Sequence, residues 1–152
     1  ERANQHVYQV LTKRSSILKR YVNARYKSRP VPEHIWLGVS LENSDQLSRV
    51  RHLQDANVSV RFLSIEPLLG PIEVIDLTHI AWVIVGGESG PGHRPMAPEW
   101  VRSIRNQCLD ASVAFFFKQW GGHRPKSNGR ELDGREWNDR PRVGGPLGVA
   151  AE

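Results

Sequence analysis

Five places in this 152-residue chain put chemically able side chains at the end of an apolar run. Lys13 follows the first run, and Ser40, Glu42 and Asn43 close the second. Glu66 closes the third, and Gly86, Gly87, Glu88 and Ser89 close the fourth. Lys118, Gln119 and Trp120 follow the fifth. A lysine can balance the charge of a phosphate or carboxylate. Paired glutamates can do acid–base work when their surroundings split their pKa values. Glu88, Glu66 and Lys118 are therefore the catalytic candidates. Lys13, Ser40, Glu42, Asn43, Gly86, Gly87 and Ser89 are the candidates for binding a cofactor or substrate.

Each of these residues also has a plainer reading. Glu42 can cap a helix or form a salt bridge, and Glu66 before Pro67 can satisfy neighbouring backbone N–H groups. Gly86 and Gly87 can serve only a turn. A glycine-rich loop that opens a helix can bind phosphate. Here several residues separate the loop from Pro98, and the spacing matches neither a Walker loop nor a dinucleotide fingerprint. Glu66 and Glu88 on consecutive strands have the look of paired glycosidase carboxylates, but nothing else suggests a sugar site. The five tryptophans read as core or rim packing before a base-stacking platform, and the six histidines show no ligand spacing. No protein-held metal is expected.

The elements that position these residues follow from periodicity. Residues 6–12 read as a strand, then a helix capped by Ser15 or Ser16 runs to about residue 27 with Ile17, Leu18, Tyr21 and Val22 as its apolar stripe. Residues 35–41 form the second strand. Asn43 and Gln46 have capping-box spacing, and the helix that follows turns Leu47, Val50 and Leu53 inward and ends near Asn57. Residues 58–65 form the third strand, which Pro67 must stop. The link to the fourth strand, 81–85, is too short for a full crossover helix, so a turn or short helix is expected near 75–79. Pro98 and Glu99 suit a helix start, with Val101, Ile104 and Cys108 on one face. Residues 114–117 form the fifth strand. Residues 121–152 are an irregular hook, in which Leu132 and Trp137 dock, ending in a tail (142–152) expected to be disordered.

Continuous apolar strands alternating with amphipathic helices indicate a parallel sheet covered by helices, an α/β fold. Five strands are too few for the usual eight-stranded barrel. An open doubly wound sheet gathers its ligand groups mainly at the switch point, whereas here polar groups follow every strand. The expectation is a partial TIM-type barrel over residues 1–120, a half-barrel of about five parallel strands with crossover helices. Its unpaired edges predict self-association or domain swapping.

Composition narrows the classes. The chain is 39% hydrophobic and 24% charged, with no apolar run long enough to span a membrane. It opens with ERANQHV, which is neither a signal peptide nor a translation start, so either something was removed or this is a piece of a longer protein, and a cytoplasmic location is expected. The net charge of +5 permits a nucleic-acid partner. Cys108 stands alone, which excludes an internal disulfide or a multi-cysteine cluster within the chain.

Six ordered runs carry a resemblance: YQVLTKR (8–14), WLGVSLEN (36–43), RFLSIEPLLGPI (61–72), WVIVGGESGPGHRPM (82–96), WVRSIRNQC (100–108) and FFFKQWGG (115–122), followed by LDGREW. Together they resemble the C-terminal portion of a phage-associated family of unassigned reaction. Full-length members of that family begin with a three-cysteine motif similar to the iron–sulfur loop of radical S-adenosylmethionine enzymes. The resemblance implies that these strands are roughly the fourth to eighth of a TIM-type barrel. It also implies an iron–sulfur cluster and S-adenosylmethionine in a full-length parent, and neither cofactor in this chain alone. Gly86-Gly87-Glu88 spells a motif that radical enzymes use near the methionine amino group, but there it follows an early strand, so that role is not carried over.

The expectation is thus a C-terminal half-barrel that contributes a substrate or cofactor rim and is catalytically incomplete by itself. Its partners would be a missing N-terminal segment or a second copy. A basic nucleic-acid-associated module and a phosphate-ligand domain built on residues 86–92 are the alternatives.

Overall fold

Each of the five apolar runs becomes a strand, and the strands pair in the order in which they occur. The computed structural model describes residues 3–141, so the tail expected to be disordered lies outside the described residues. The order is β1 (Tyr8–Thr12), α1 (Ser15–Arg25), β2 (Ile35–Leu41), a 3₁₀ turn at Ser44–Gln46, α2 (Ser48–Gln54), β3 (Arg61–Ile65), β4 (Trp82–Gly86), α3 (Pro98–Asp110) and β5 (Ala114–Gln119). All four strand pairings are parallel, giving the sheet order β1-β2-β3-β4-β5 with no reversal.

Alternation along each strand sorts the side chains onto two unlike faces. Leu37, Val39 and Leu41 of β2, Leu63 and Ile65 of β3, Val83 and Val85 of β4, and Phe115 and Phe117 of β5 share one face. That face packs against Val22 of α1, Val50 and Leu53 of α2, and Val101, Ile104 and Cys108 of α3. The opposite face carries Trp36, Phe62, Trp82 and Ala114, with Ile84 and Phe116 partly covered, and no helical residue joins that cluster. Every helix therefore lies on one side, and the sheet is wound in a single direction. A doubly wound sheet would place helices on both faces.

Local signals hold where their chemistry is local. The Asn43–Gln46 capping box forms, with the Asp45 N–H donating to Asn43 Oδ1 at 2.9 Å and the Asn43 N–H donating to Gln46 Oε1 at 3.0 Å. Pro98 opens α3, and Val101, Ile104 and Cys108 are wholly buried. The link before β4 contains a turn at residues 78–79 and no helix.

Other expectations need correction. Neither Ser15 nor Ser16 caps α1; Arg14 occupies that position with no side-chain cap, and Ser15 Oγ instead meets His52 Nδ1 at 3.0 Å. In the expected stripe of α1, Val22 is buried, but Ile17 and Tyr21 stand 49% and 60% exposed. The reason is position: α1 is the outermost helix, flanked by α2 on one side and by nothing described on the other. β3 starts at Arg61, because Val58 forms a separate bridge with Val31. β5 runs on to Gln119, so Lys118 sits inside the strand and not after it.

The segment after β5 joins the same core. β6 (Glu131–Leu132) and β7 (Arg135–Glu136) form a hairpin whose turn residues, Asp133 and Gly134, have φ of 55° and 79°. Positive φ at both positions matches the right-handed twist of the flanking strands. Leu132 and Trp137 are buried in the main core cluster, as expected for the docked hook. Beyond β7 the chain runs antiparallel to β5, with the Phe117 N–H donating to the Trp137 carbonyl and the Asp139 N–H to the Phe115 carbonyl. Among the described residues no helix is long and apolar enough to cross a membrane.

Candidate functional site

The face without helices is built in layers. Register places Leu11, Gly38, Phe62, Trp82 and Ala114 side by side, and Ser40, Ser64, Ile84 and Phe116 in the next layer toward the strand C-termini. Gly38 is required in the first of these, because a Cβ there would overlap the Phe62 ring lying across it. Trp82 meets Trp36, Phe62 and Phe116 with ring centroids 6.0 Å apart in each pair, so the floor of this face is aromatic.

One further step of two residues brings Glu66 from β3 and Lys118 from β5 to the same side. They stand on strands separated by β4, about 10 Å apart at the backbone. Lys118 Nζ nonetheless reaches Glu66 Oε2 at 2.9 Å. The residue between them explains how. Gly86 of β4 has no side chain, and a Cβ there would lie 3.1 Å from the Glu66 carboxylate. Gly86 leaves the gap through which the ion pair forms. The Glu66 side chain is 21% exposed and the Lys118 side chain 47%, so the pair faces an open space.

That space is a cavity of about 520 Å³. Its floor is Leu11, Phe62, Ile84 and Phe116, with Gln9 and Ser64 as uncharged polar groups. Its charged wall is Glu66, Lys118, Lys126, Arg130 and Arg140. A larger space of about 770 Å³ lies at the other end of the sheet, between residues 75–80 and 107–113. Those residues bring no cluster of opposed charges together, and they sit at the strand N-termini. The smaller cavity is the candidate site.

The remaining expected residues form two other groups. Lys13 and Arg49 both pair with Glu42, the second at 3.2 Å, and Arg49 also donates to the Ser40 carbonyl at 2.7 Å. Glu42 is only 13% exposed within this network. Asn43 is used as the cap of the 3₁₀ turn, and Ser40 is buried. Lys13, Ser40, Glu42 and Asn43 therefore serve the ends of β1 and β2 and do not line the cavity.

The second group is the glycine-rich loop. Glu88 accepts from the Arg94 backbone N–H and from its guanidinium, at 2.8, 2.8 and 2.6 Å. These hydrogen bonds hold its carboxyl down to about 2, which keeps it ionised and makes it a poor proton acceptor at neutral pH. Ser89 Oγ accepts from the buried Gln119 amide at 3.0 Å, and Gln119 in turn accepts from the Lys126 N–H at 3.0 Å. Gly87 faces the Trp120 carbonyl so closely that a Cβ would overlap it. The N–H groups of Gly87, Gly90, His93 and Arg94 donate to Gln119, Gly122, Gly90 and Glu88 respectively. Those four amides are committed to the protein.

Of the expected residues, Glu66 and Lys118 thus meet in the cavity, with Gly86 making their meeting possible. Ser64, Lys126, Arg130 and Arg140 were not anticipated. Ser64 could be found from strand parity two residues before Glu66. The three cations arise from the hook, where their number was visible but their destination was not.

The cluster that the family resemblance implies would need thiolate ligands. Cys108 is wholly buried on α3, and burial pushes its thiol up to about 12. It cannot serve as a thiolate ligand there. Among the described residues no group of three or more His, Cys, Asp or Glu side chains can hold a metal ion. The residues present do not fit an iron–sulfur cluster.

A family model described as a protein of unknown function, DUF5131, matches residues 1–141. No curated protein and no solved structure matches the chain.

Proposed function

This chain belongs to the DUF5131 family of unknown function, and on its geometry we propose that it is part of a TIM-type barrel, contributing a substrate or cofactor rim. The observation that carries the reading is the one-sided sheet. Five parallel strands in sequence order with all helices outside are what a segment of such a barrel has. Its helix-free face then corresponds to the barrel interior, and Glu66 and Lys118 lie toward the C-terminal ends of the strands, where barrel enzymes keep their chemistry. Lys118 supplies positive charge to an anionic group. Glu66 orients Lys118 and can exchange a proton with a ligand that displaces it.

The bare edge of β1 takes a further parallel strand in this reading. A preceding segment of a longer protein supplies it, or in its absence a second copy. On the resemblance to phage-associated three-cysteine proteins, this reading assigns iron–sulfur and S-adenosylmethionine chemistry to that preceding segment of a cytoplasmic parent. This chain alone is then catalytically incomplete.

The test is ligand mapping by NMR on the chain, using a small-fragment library. Shifts are expected to gather at the amides of Ser64, Glu66, Ile84 and Lys118. Shifts gathered instead around residues 75–80 and 107–113 overturn the proposal. For the parent, the upstream reading frame decides: anaerobic reconstitution of the longer protein is expected to give an iron–sulfur absorption band, and a cluster-free parent removes the radical-enzyme part of the reading.

A further inference from the structure

We infer that the cavity on the helix-free face binds a phosphoester. Its phosphate is held by Lys118, Lys126, Arg130 and Arg140, and its organic part lies on Leu11, Phe62 and Ile84. This rests on the reading of that face as a ligand rim and names the ligand class.

Charge balance is the first reason. Four cations line the cavity with Glu66 as the one carboxylate in its lining, and Arg130 has a second carboxylate, Glu136, 3.6 Å away outside that lining. Glu66 is already paired with Lys118. Lys126 and Arg140 have no carboxylate partner among the described residues. Arg130 and Arg140 both stand over the Phe116 ring, with guanidinium carbons 5.1 and 5.5 Å from its centroid. Two guanidinium groups gathered at one ring repel each other unless an anion joins them.

The second reason is an unused donor. Arg130 Nε is buried and has no hydrogen-bond partner. The nearest carboxylate, Glu136, is 3.6 Å away, too far for a hydrogen bond. The other end of the Arg130 guanidinium donates to Asn138 Oδ1, which fixes the plane of the group. Arg130 therefore brings a guanidinium whose hydrogen-bonding capacity is not filled to the cavity wall.

The third is the placing of Lys126. Its φ is 63°, a left-handed conformation that a lysine adopts at a cost and a glycine would adopt freely. The Lys126 N–H is tied to the buried Gln119 amide oxygen, so the turn is locked with this side chain at the cavity wall.

A phosphate dianion fits this set better than a carboxylate, because its several acceptor oxygens can meet arginine forks and a lysine together. The cavity exceeds what a bare phosphate fills, and its apolar floor would stay uncovered. An organic portion covers it.

The experiment is calorimetric titration of the full chain with phenyl phosphate, benzoate and phenol at low and raised salt. Phenyl phosphate should bind at one site per chain, more tightly than benzoate or phenol, and more weakly as salt rises. Arg140→Ala and Lys126→Ala change exposed side chains, so each should leave the thermal midpoint in place and weaken binding roughly tenfold. Should one variant unfold, the other carries the test. Binding that ignores both substitutions overturns the inference. Benzoate binding as tightly as phenyl phosphate overturns the ligand class and leaves the rim reading intact. Failure of every phosphoester while fragments still shift Ser64 and Glu66 overturns this inference alone; fragments that avoid that face overturn both. A single-stranded oligonucleotide that displaces phenyl phosphate and binds far more tightly reassigns the site to nucleic acid and overturns the small-ligand inference.

Discussion

At the β5 edge of the sheet, residues 137–139 run antiparallel to the strand and take its outward backbone groups. At the β1 edge, Val7, Tyr8, Val10 and Leu11 stand 39–47% exposed, and Ile17 and Tyr21 of the outermost helix α1 are exposed as well. The closed edge is held by Trp137, packed edge-on against Phe115, and by Arg102 and Arg105 on Asp133. The bare edge has no proline and no charge within the strand, and among the described residues no segment pairs with its outer side. An open, apolar strand edge is a template for pairing with another strand. The contrast gives the described sheet two unlike edges, one covered at β5 and one exposed at β1.

The most severe way to break this contrast is to open the closed edge. Trp137→Ala removes a buried indole from the core and the anchor of residues 137–139. A loss of about 3–5 kcal/mol is expected in urea unfolding, together with new association through β5. A loss under about 1 kcal/mol would mean that the hook is not what closes the edge.

The same side is also sewn together at its top, where residues 87–90 and 119–122 exchange backbone hydrogen bonds. Gly87→Ala forces a Cβ into the Trp120 carbonyl. It should cost about 1–3 kcal/mol, again read by urea unfolding. Unchanged stability would show that the close approach of the two loops is not required.

A milder change addresses charge. The hydrogen bonds from Arg102 and Arg105 hold the Asp133 carboxyl down to about 2, against an ordinary value of 3.8. The folded value is the lower one, so its stabilising effect is present above 3.8 and is lost as pH falls toward about 2. Asp133→Asn should therefore flatten the fall in stability across that window relative to the unaltered chain. Parallel curves would mean that the hook is held without this carboxylate.

The smallest effect on stability belongs to the bare edge. Val10→Lys places a charge on an exposed position of β1 and should change stability by less than about 0.5 kcal/mol. Its effect should appear in light scattering, where the unaltered chain associates and the variant is monomeric. A chain already monomeric over a wide concentration range would remove the reading of β1 as an open edge.

Much of the fold was legible because its causes are local. The apolar runs, the Asn43–Gln46 box, Pro98 at the start of α3 and the inward face of Val101, Ile104 and Cys108 each depend on residues a few positions apart. α1 was misread for the opposite reason. Ile17 and Tyr21 have helical spacing with Val22, but their burial requires a neighbour that the described residues do not provide. The candidate site was half legible. Glu66 and Lys118 could be named as strand ends, yet Glu88 was grouped with them, although it is claimed by Arg94 six residues away.

The sequence by itself determined the alternation, the five parallel-type strands, their punctuation and the residues able to do chemistry at their ends. These follow from backbone stereochemistry and the separation of apolar from polar side chains along short stretches. Only the tertiary structure decided which of those residues meet. Lys118 reaches Glu66 because β4 lies between their strands with Gly86 at the crossing point. Lys126, Arg130 and Arg140 reach the same cavity because the hook returns along the outer edge of β5, where the Asp139 carbonyl accepts from Trp82 on the helix-free face. Such meetings depend on register and on the path of a distant segment, and neither is written in the spacing of any one run.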